Sequence, residues 1–543
     1  MGRFRWLLLV VLGSVIAATV GVGVWAFGFR QPSGLPRPLT VPSGDQEIAW
    51  LHNTTDGSTW ALFVIGLKRA EMPVDGVPSE LTVDDTNAFP EQTTLVPEVV
   101  LTRAGYAGKC RVRWYKISGE ASTSDWVQAL AARDPAPLAI IGGATSDRAH
   151  ELALALAKQT GWQGDRPLLL ITTATIDIVI TDQDDPSHFA RVPDQRSLVE
   201  VYPGRSFRFC FGNAQMVRAV TEFVLQDPTL HPGPLGWPWL RAATAGAANG
   251  WAVLPGLADL GRKPTVFPLE WQDDPYSGDL YNQFREHLYT VLGGHAGPSN
   301  APRIVRDPAF SIPFSVGGFS RPNAGEAAAI RGILRNLPPP GERSLIVIPT
   351  VSNPIRRILL TLSERVPAAG RRLVAITGDG VSVNTFYRDA EWAWPARSIP
   401  IPIVFFAHAN PFAWDTTDGP PPPPGYRLEP KNSTEDVLHA TNMMRIVADA
   451  IFPPTALGQL SRIADRADDV AARFHARPDK FFGEHGNRRG RRGEYVVVLR
   501  PTTRYGDTAP GTPRPESTIE VFRREDVGRW VRVGVVPVLQ EGE

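Results

Sequence analysis

The sequence has few cysteines and no excess of either charge. Its 543 residues include two cysteines, Cys110 and Cys210, and its 56 basic residues balance 56 acidic ones. Two cysteines are too few for a disulfide framework or a cysteine zinc cluster. A disulfide between them stays an alternative to two buried thiols, because sequence alone does not bring two sulfurs together. The balanced charge argues against a general nucleic-acid binder, which needs a basic surface to neutralise phosphates.

Catalytic and phosphate-binding motifs are also missing. The sequence contains no His-Glu-x-x-His motif, no Gly-x-Ser-x-Gly turn and no Walker or Gly-x-Gly-x-x-Gly loop. These patterns mark zinc proteases, hydrolases with a nucleophile elbow and nucleotide-binding sites. No pairing of a nucleophile with a base stands out. We therefore expect no enzyme, no cofactor and no metal site.

One long apolar run is present, at the N-terminus. Leu7–Phe29 is a stretch of 23 residues without a charge, between Arg5 and Arg30. About 20 apolar residues cross a bilayer, whereas the apolar core of a cleaved signal peptide has about 7–15. We predict an uncleaved transmembrane anchor at residues 1–30, with a cleaved signal peptide as the alternative. No second run follows, so the later residues are expected to face the periplasm or the cell exterior.

After a Pro/Gly-rich stretch at residues 31–46, which reads as a stalk, apolar runs alternate with helical patterns. The runs PLAII, PLLLI, TVFPL, SLIVI, LVAIT and IPIVFF are separated by stretches with helical spacing. This alternation is typical of parallel sheets covered by helices on both faces. Such folds bind ligands in the loops at the carboxyl ends of the strands. The loops GGATSD, TTATID, WQDDPYSG, PTVSNP and TGDGVSVN are therefore the first candidates for a site.

Six stretches resemble one known family in its order along the chain. They are LAIIGGATSDRAHELALALA, LLLITTATID, FRFCFGNAQMVRAVTEFVL, EWQDDPYSGDLYNQFREHL, AITGDGVSVNTF and STEDVLHATNMMRIVADAI. Together they resemble the type I periplasmic-binding proteins, which include leucine/isoleucine/valine-binding proteins and receptor ligand-binding regions. The resemblance runs from about Trp60 to about Val498.

The resemblance implies a two-lobed periplasmic-binding-protein-like α/β fold (type I), in which each lobe is a parallel sheet covered by helices and the whole follows one N-terminal transmembrane helix. The chain is expected to cross between the lobes near Phe209, Val404 and Gly493. The expected ranges are 47–208 with 405–492 for lobe 1, and 209–404 with 493–543 for lobe 2.

The resemblance also implies a ligand site between the lobes. Thr145 and Ser146 would bind a ligand carboxylate at a helix N-terminus, where free N–H groups favour an anion. Thr173 and Thr175 match the family's second carboxylate-binding loop. From the residues alone, Ser146 can equally be the cap of its own helix, and the threonines can be ordinary strand ends.

The second lobe contributes the other two candidates. Tyr276 would point to the ligand, and Asp379 would pair with a ligand ammonium, for which a carboxylate is the natural partner. Asp379 can equally form an Asp-Gly turn. The neighbouring Asp273 and Asp274 are expected to cap a turn rather than bind a metal, since no further ligands are spaced to complete a site.

The implied function is capture of a small amino-acid-like ligand for uptake through an ABC permease, or for sensing. Three features depart from the family pattern: the loop IPTVSNP at 348–354, and two apparent insertions at Asp182–Arg205 and Gly233–Gly261. They favour an alternative, a ligand-free structural or protein-interaction module of the cell envelope.

The N-terminal run predicts how the protein fractionates. The full chain should sediment with membranes, and deletion of residues 1–30 should release it into the soluble fraction, because this run alone is long enough to span a bilayer. Immunoblots of the two fractions measure this. A mature N-terminus found between residues 20 and 35 of a freely soluble protein would instead support the cleaved signal peptide.

Overall fold

The computed structural model of the chain describes most of the region after the stalk. The described residues are 35–72, 80–143, 145–180, 195–234, 264–272, 274–293, 302–313, 321–383, 399–411, 435–453, 461–478, 482–483, 486–487, 494–501, 517–526 and 528–538. The anchor expected at residues 1–30 lies outside these ranges. Within them, no helix is both long and apolar enough to cross a membrane.

Two large sheets organise the described chain. The strands are β1 Gln46–Asn53, β2 Leu81–Asp84, β3 Glu98–Arg103, β4 Tyr106–Ala107, β5 Cys110–Ile117, β6 Ala139–Gly142, β7 Leu168–Ile171, β8 Ile178–Ile180, β9 Gln195–Ser197, β10 Ser206–Arg208, β11 Gly233–Pro234, β12 Thr265–Pro268, β13 Glu270–Trp271, β14 Arg303–Ile304, β15 Ser311–Ile312, β16 Glu342–Val347, β17 Leu373–Ile376, β18 Ile403–Ala407, β19 Ser461–Arg462, β20 Phe482–Gly483, β21 Gly486–Asn487, β22 Tyr495–Arg500, β23 Ser517–Asp526 and β24 Arg529–Val538.

The first sheet defines lobe 1 and has the order β2-β3-β5-β1-β6-β7-β10-β20-β21. Its central strands β5, β1, β6, β7 and β10 run parallel, as the apolar runs predict. The second sheet defines lobe 2 and has the order β14-β12-β16-β17-β18-β22-β23-β24, with β11 also paired to β16. Its strands from β14 to β18 are parallel, and β22, β23 and β24 extend it antiparallel. Each lobe is therefore a parallel sheet with antiparallel strands added at its edges.

Helices cover both faces of each sheet. They are α1 Gly57–Ala70, α2 Thr123–Ala131, α3 Ser146–Lys158, α4 Leu198–Val201, α5 Asn213–Gln226, α6 Pro275–Gly293, α7 Ala324–Asn336, α8 Ser352–Arg365, α9 Ala369–Arg372, α10 Glu435–Ile451 and α11 Ala467–His475. Neighbouring strand residues point to opposite faces, so Ile140 packs in one core of lobe 1 and Ile141 in the other. The same alternation places Val404 and Phe405 in the two cores of lobe 2.

The chain passes between the lobes three times. It leaves lobe 1 after Arg208, the end of β10, and enters α5, which packs in a core of lobe 2. It leaves lobe 2 after Ala407, the end of β18, and α10 packs in a core of lobe 1. The third passage lies between β21 in the first sheet and β22 in the second.

One expected boundary is wrong. The division at 404/405 cuts β18, which lies wholly in the second sheet. Phe405 and Ala407 are fully buried in a lobe 2 core and pair with β22. The chain therefore belongs to lobe 2 as far as Ala407, because the apolar strand continues to that residue.

The described ranges include both cysteines and part of the two apparent insertions. Cys110 and Cys210 are both buried and free. In the Asp182–Arg205 insertion, the short strand β9 pairs with β8 and α4 packs in a lobe 1 core. Most of the Gly233–Gly261 insertion lies outside the described residues.

The cores predict where substitutions destabilise the protein. Leu170 in β7 is fully buried and Leu95 is 51% exposed, both in lobe 1. Leu170→Ala should lower the free energy of unfolding by about 2–5 kcal/mol, because it removes packed methyl groups and leaves a cavity. Leu95→Ala, the matched control, should change it by less than about 0.5 kcal/mol. Urea unfolding followed by tryptophan fluorescence measures both, and equal effects would contradict this assignment of the core.

Candidate functional site

The facing edges of the two lobes carry the candidate residues. On the lobe 1 side, the loops after β6 and β7 lie together, because the Thr173 hydroxyl donates to the Gly143 carbonyl at 3.3 Å. Gly143 has a φ of 82°, and a Cβ there would lie 2.6 Å from the Ala149 Cβ. Only glycine fits this tight turn from strand to helix. The turn sets Thr145 and Ser146 at the start of α3.

Ser146 is the first residue of α3, and Thr145 occupies the N-cap position. The Thr145 side chain makes no capping hydrogen bond to the helix backbone and instead contacts the Asp147 carboxylate. The alternative in which Ser146 caps its own helix is therefore wrong, since the position before it is the cap. Ser146 is 5% exposed, whereas Thr145 and Thr173 lie at the surface.

Thr175, in the same loop after β7 as Thr173, contacts the first crossing segment. It is 1% exposed, and its carbonyl accepts the Asn213 N–H at 2.8 Å at the start of α5. This hydrogen bond ties the loop after β7 to the start of α5.

On the lobe 2 side, Tyr276 and Asp379 are in direct contact. The Tyr276 hydroxyl donates to Asp379 Oδ1 at 2.9 Å and accepts the Gly380 N–H at 3.1 Å. Burial, and then the charge of Asp379, raise the pKa of Tyr276 well above its usual value. A Cβ at Gly380 would lie 2.4 Å from the Thr350 carbonyl oxygen, so this close approach also requires glycine.

His408 continues this cluster toward the crossing segments. Its Nε2 donates to Asp379 Oδ2 at 2.9 Å, and its Nδ1 accepts the Phe211 N–H at 3.3 Å. Burial lowers the pKa of His408, but the hydrogen bond and charge of Asp379 raise it by more. A proton added to Nδ1 would face the Phe211 N–H, so the geometry favours the neutral Nε2–H tautomer. Both oxygens of Asp379 thus have donors from the protein.

Helix α10 joins lobe 1 to the same cluster. Glu435 Oε1 accepts the His408 backbone N–H at 2.7 Å. Burial, and then the neighbouring Asp436, raise the pKa of Glu435 to about 8. One turn later, His439 Nε2 donates to the Thr172 carbonyl at 2.7 Å, and burial lowers its pKa to about 4. The two imidazole rings lie 6.1 Å apart, so polar groups run from Asp379 to the loop that carries Thr173.

His408, Glu435 and His439 are absent from the sequence-based candidates. His408 follows the apolar run of β18, at the end of a strand where other loops do carry candidates. Inspecting the loop after that run, as for the other strands, would have identified His408 as a candidate. Nothing in the sequence marks Glu435 or His439, because their place at the site depends on how α10 packs.

A second carboxylate ties the lobes near the first crossing. Asp279 Oδ2 in α6 accepts the Asp177 N–H of lobe 1 at 2.8 Å and the Asn213 side-chain amide at 2.8 Å. Asp177 in turn accepts from Arg208 at 2.8 Å and from the Ala214 N–H at 2.7 Å. Burial raises the pKa of Asp279 to about 6.

The N-termini of α3 and α6 face each other across the boundary between the lobes. Asp274 Oδ2 accepts the Ser277 N–H at 3.2 Å, which is the capping role expected for it; Asp273 lies outside the described residues. Burial raises the pKa of Asp274 to about 6, and the negative charge of Asp147 at the start of α3 adds to the rise. The boundary is therefore rich in carboxyl groups. Within the described ranges, no group of three or more His, Cys, Asp or Glu residues is arranged to hold a metal.

Solved structures are similar to this chain at low sequence identity. No family model and no curated protein matches the chain. Among solved structures, it is similar to an ABC transporter substrate-binding protein from Desulfitobacterium hafniense, with 12% identity, 85% of this chain and 98% of that chain covered, and a TM-score of 0.40. It is also similar to a solute-binding protein from R. palustris in complex with 4-hydroxybenzoate, with 10% identity, 89% and 98% covered, and a TM-score of 0.42.

A third similar structure is a fatty acid ABC transporter substrate-binding protein from Thermomonospora curvata, with 9% identity, 94% and 96% covered, and a TM-score of 0.38. Identities and TM-scores this low do not identify a ligand for this chain. The function of this chain is therefore inferred from its own residues.

Glu435 predicts a pH dependence of stability. Its pKa rises from an ordinary 4.5 to about 8 in the folded chain. Between those values the folded state holds a proton that the unfolded state has lost, so stability falls as pH rises. Glu435→Gln keeps an oxygen for the His408 N–H but cannot ionise. The variant should lose less stability than the parent between about pH 5 and pH 8, by up to a few kcal/mol at about 1.4 kcal/mol per pKa unit.

Urea unfolding at several pH values measures this difference. Glu364→Gln, at an exposed glutamate in lobe 2, is the matched control and should follow the parent. A Glu435→Gln variant with the parent's pH dependence would show that Glu435 is ionised throughout.

Proposed function

We propose that this chain is an extracytoplasmic solute-binding protein, held at the membrane by residues 1–30, that closes its two lobes on a small polar ligand with an amino group. One observation carries the proposal: polar groups at the carboxyl ends of strands in both sheets converge where the lobes meet. On the lobe 2 side Asp379 is held by Tyr276 and His408. On the lobe 1 side the N-terminus of α3 begins at the buried Ser146.

The chemistry of the two sides is complementary to an amino acid. Carboxyl groups crowd the boundary, namely Asp147, Asp274, Asp379 and Glu435. An ammonium group placed among them gains charge-assisted hydrogen bonds. A carboxylate of the same ligand has the first N–H groups of α3 as donors. Thr145, Ser146, Thr173 and Thr175 line this side in the proposal, and the Thr175 carbonyl also accepts the Asn213 N–H at the start of α5.

The proposed setting is the outer face of a membrane. The N-terminal apolar run supports an anchor, and a cleaved signal peptide stays the alternative. Transfer of the ligand to an ABC permease is the role we propose, with sensing as a second use of the same closure. A hinge at the three crossing segments supplies the motion.

A ligand-free module of the cell envelope is the second candidate. This candidate is favoured by the hydrogen bonds that the protein already makes at the boundary between the lobes. Both oxygens of Asp379 have protein donors, and Asp279 joins α6 to Asp177 of lobe 1. A protein that never opens would keep these bonds permanently, and the two lobes would then act as one rigid body.

Screening the soluble part against amino acids and amines by thermal shift separates the candidates, because a ligand that binds only the folded state raises the melting temperature. With a ligand so found, Asp379→Ala should weaken binding about 10- to 100-fold, since a charged hydrogen bond is worth about 1.5–3 kcal/mol. Isothermal calorimetry measures the affinity. Asp85→Ala, at an exposed carboxylate of lobe 1, should bind as the parent does.

Two outcomes would count against the proposal. Unchanged affinity of Asp379→Ala would remove the ammonium role. A screen in which no amino compound raises the melting temperature would favour the ligand-free module.

A further inference from the structure

A buried ionic cluster lies at the amino edge of the lobe 1 sheet, where the strands begin. The Glu47 side chain is fully buried near the start of β1. Its carboxylate forms ion pairs with Arg113 at 2.7 Å and with Arg133 at 2.8 Å. It also accepts a hydrogen bond from the Tyr115 hydroxyl at 3.1 Å. Arg113 also pairs with Glu98 at 2.6 Å. Buried charges with this many partners hold one geometry, because removing any partner leaves a charge unpaired.

The same two arginines hold the segment that precedes the sheet. Arg133 donates to the Leu39 carbonyl at 2.9 Å, and Arg113 donates to the carbonyls of Leu39 at 3.3 Å and Thr40 at 3.1 Å. A few residues later, Asp45 accepts from Arg111 at 2.8 Å and from the Lys109 N–H at 3.0 Å. The stalk expected at residues 31–46 is therefore docked on lobe 1 from Leu39 onward and is not a free spacer there.

The docked segment lies at the far end of lobe 1 from lobe 2. Lobe 2 meets lobe 1 at the carboxyl edge of the sheet, through Asp177 and Asp147. The amino edge is separated from that boundary by the length of the strands. The eight residues of β1 span about 26 Å at about 3.3 Å per residue.

The chain from the proposed anchor to the docked segment is short. Arg30 and Leu39 are nine residues apart, which reach at most about 32 Å when fully extended. The amino edge of lobe 1 therefore cannot move farther than this from the point where the chain leaves the bilayer.

We propose that lobe 1 faces the lipid surface with the amino edge of its sheet, that Arg113 and Arg133 fix this orientation by holding Leu39 and Thr40, and that lobe 2 stands away from the membrane. The inference rests on the membrane anchor of the proposed function. It adds the surface that meets the lipid and the lobe that is free to swing outward.

Energy transfer to the membrane tests this orientation in the full chain. Lys158→Cys places a donor dye at the end of α3, near the amino edge of lobe 1, and Glu364→Cys places one near the end of α8 in lobe 2; both positions are exposed. The native cysteines are buried, and burial raises their thiol pKa, to about 12 for Cys210, so they should not label. Acceptor lipids are added to liposomes of neutral phosphatidylcholine.

Transfer from Lys158→Cys should exceed transfer from Glu364→Cys several-fold, because the lobe 2 position is farther by about the length of two strands, roughly 45 Å. A flexible Gly/Ser insert of about 30 residues between Gly34 and Leu35, with a mean span of about 30 Å, should reduce this difference without touching the folded part. Retention of the difference in the insert variant would overturn the tether argument.

The remaining outcomes separate this inference from the proposed function. Equal transfer from the two labels, or stronger transfer from lobe 2, overturns the orientation alone. A chain that does not enter the liposomes overturns both the anchor and the orientation. Ligand binding by the soluble part is measured independently of either.

Discussion

His408 holds three parts of the chain together where the lobes meet. It donates to Asp379 in the loop after β17, accepts from Phe211 in the first crossing segment, and its own backbone N–H is received by Glu435 at the start of α10. The ring also stacks beside Phe211, with centroids 5.9 Å apart. In a buried setting such bonds are strong, and a lost partner is costly. The relative position of two crossing segments therefore depends on one side chain.

The architecture explains why this residue can have that role. Both sheets place the carboxyl ends of their parallel strands at the boundary, so each strand delivers one loop to it. β18 is the last parallel strand of the second sheet, and the chain then turns back toward lobe 1. A histidine directly after β18 therefore lies both at a crossing segment and at the edge where the ligand site is proposed. In the proposed function, ligand binding and hinge motion would depend on the same hydrogen bonds.

The sequence predicts the parallel strands and their covering helices because continuous apolar runs and helical spacing are local signals. It also predicts that Tyr276 and Asp379 lie at one edge, and they prove to be hydrogen-bonded. The end of lobe 2 at Ala407 and the docking of Leu39 escape prediction, since they depend on distant partners: β22 in one case and two arginines in the other. The ligand contacts of all six candidates stay predictions, because they depend on a molecule whose shape and charge the sequence does not encode.

The protonation of the boundary links ligand charge to pH. Burial raises the pKa of Asp274 and of Asp279 to about 6 and that of Glu435 to about 8. Some of these carboxyl groups are therefore protonated and carry no charge. A nearby positive charge favours the ionised form of a carboxyl group. An ammonium group that entered this boundary would therefore drive protons off these acids, and most readily off Glu435, which holds its proton at neutral pH. A neutral ligand would leave them in place. Proton release on binding near neutral pH would therefore distinguish a cationic ligand from a neutral one.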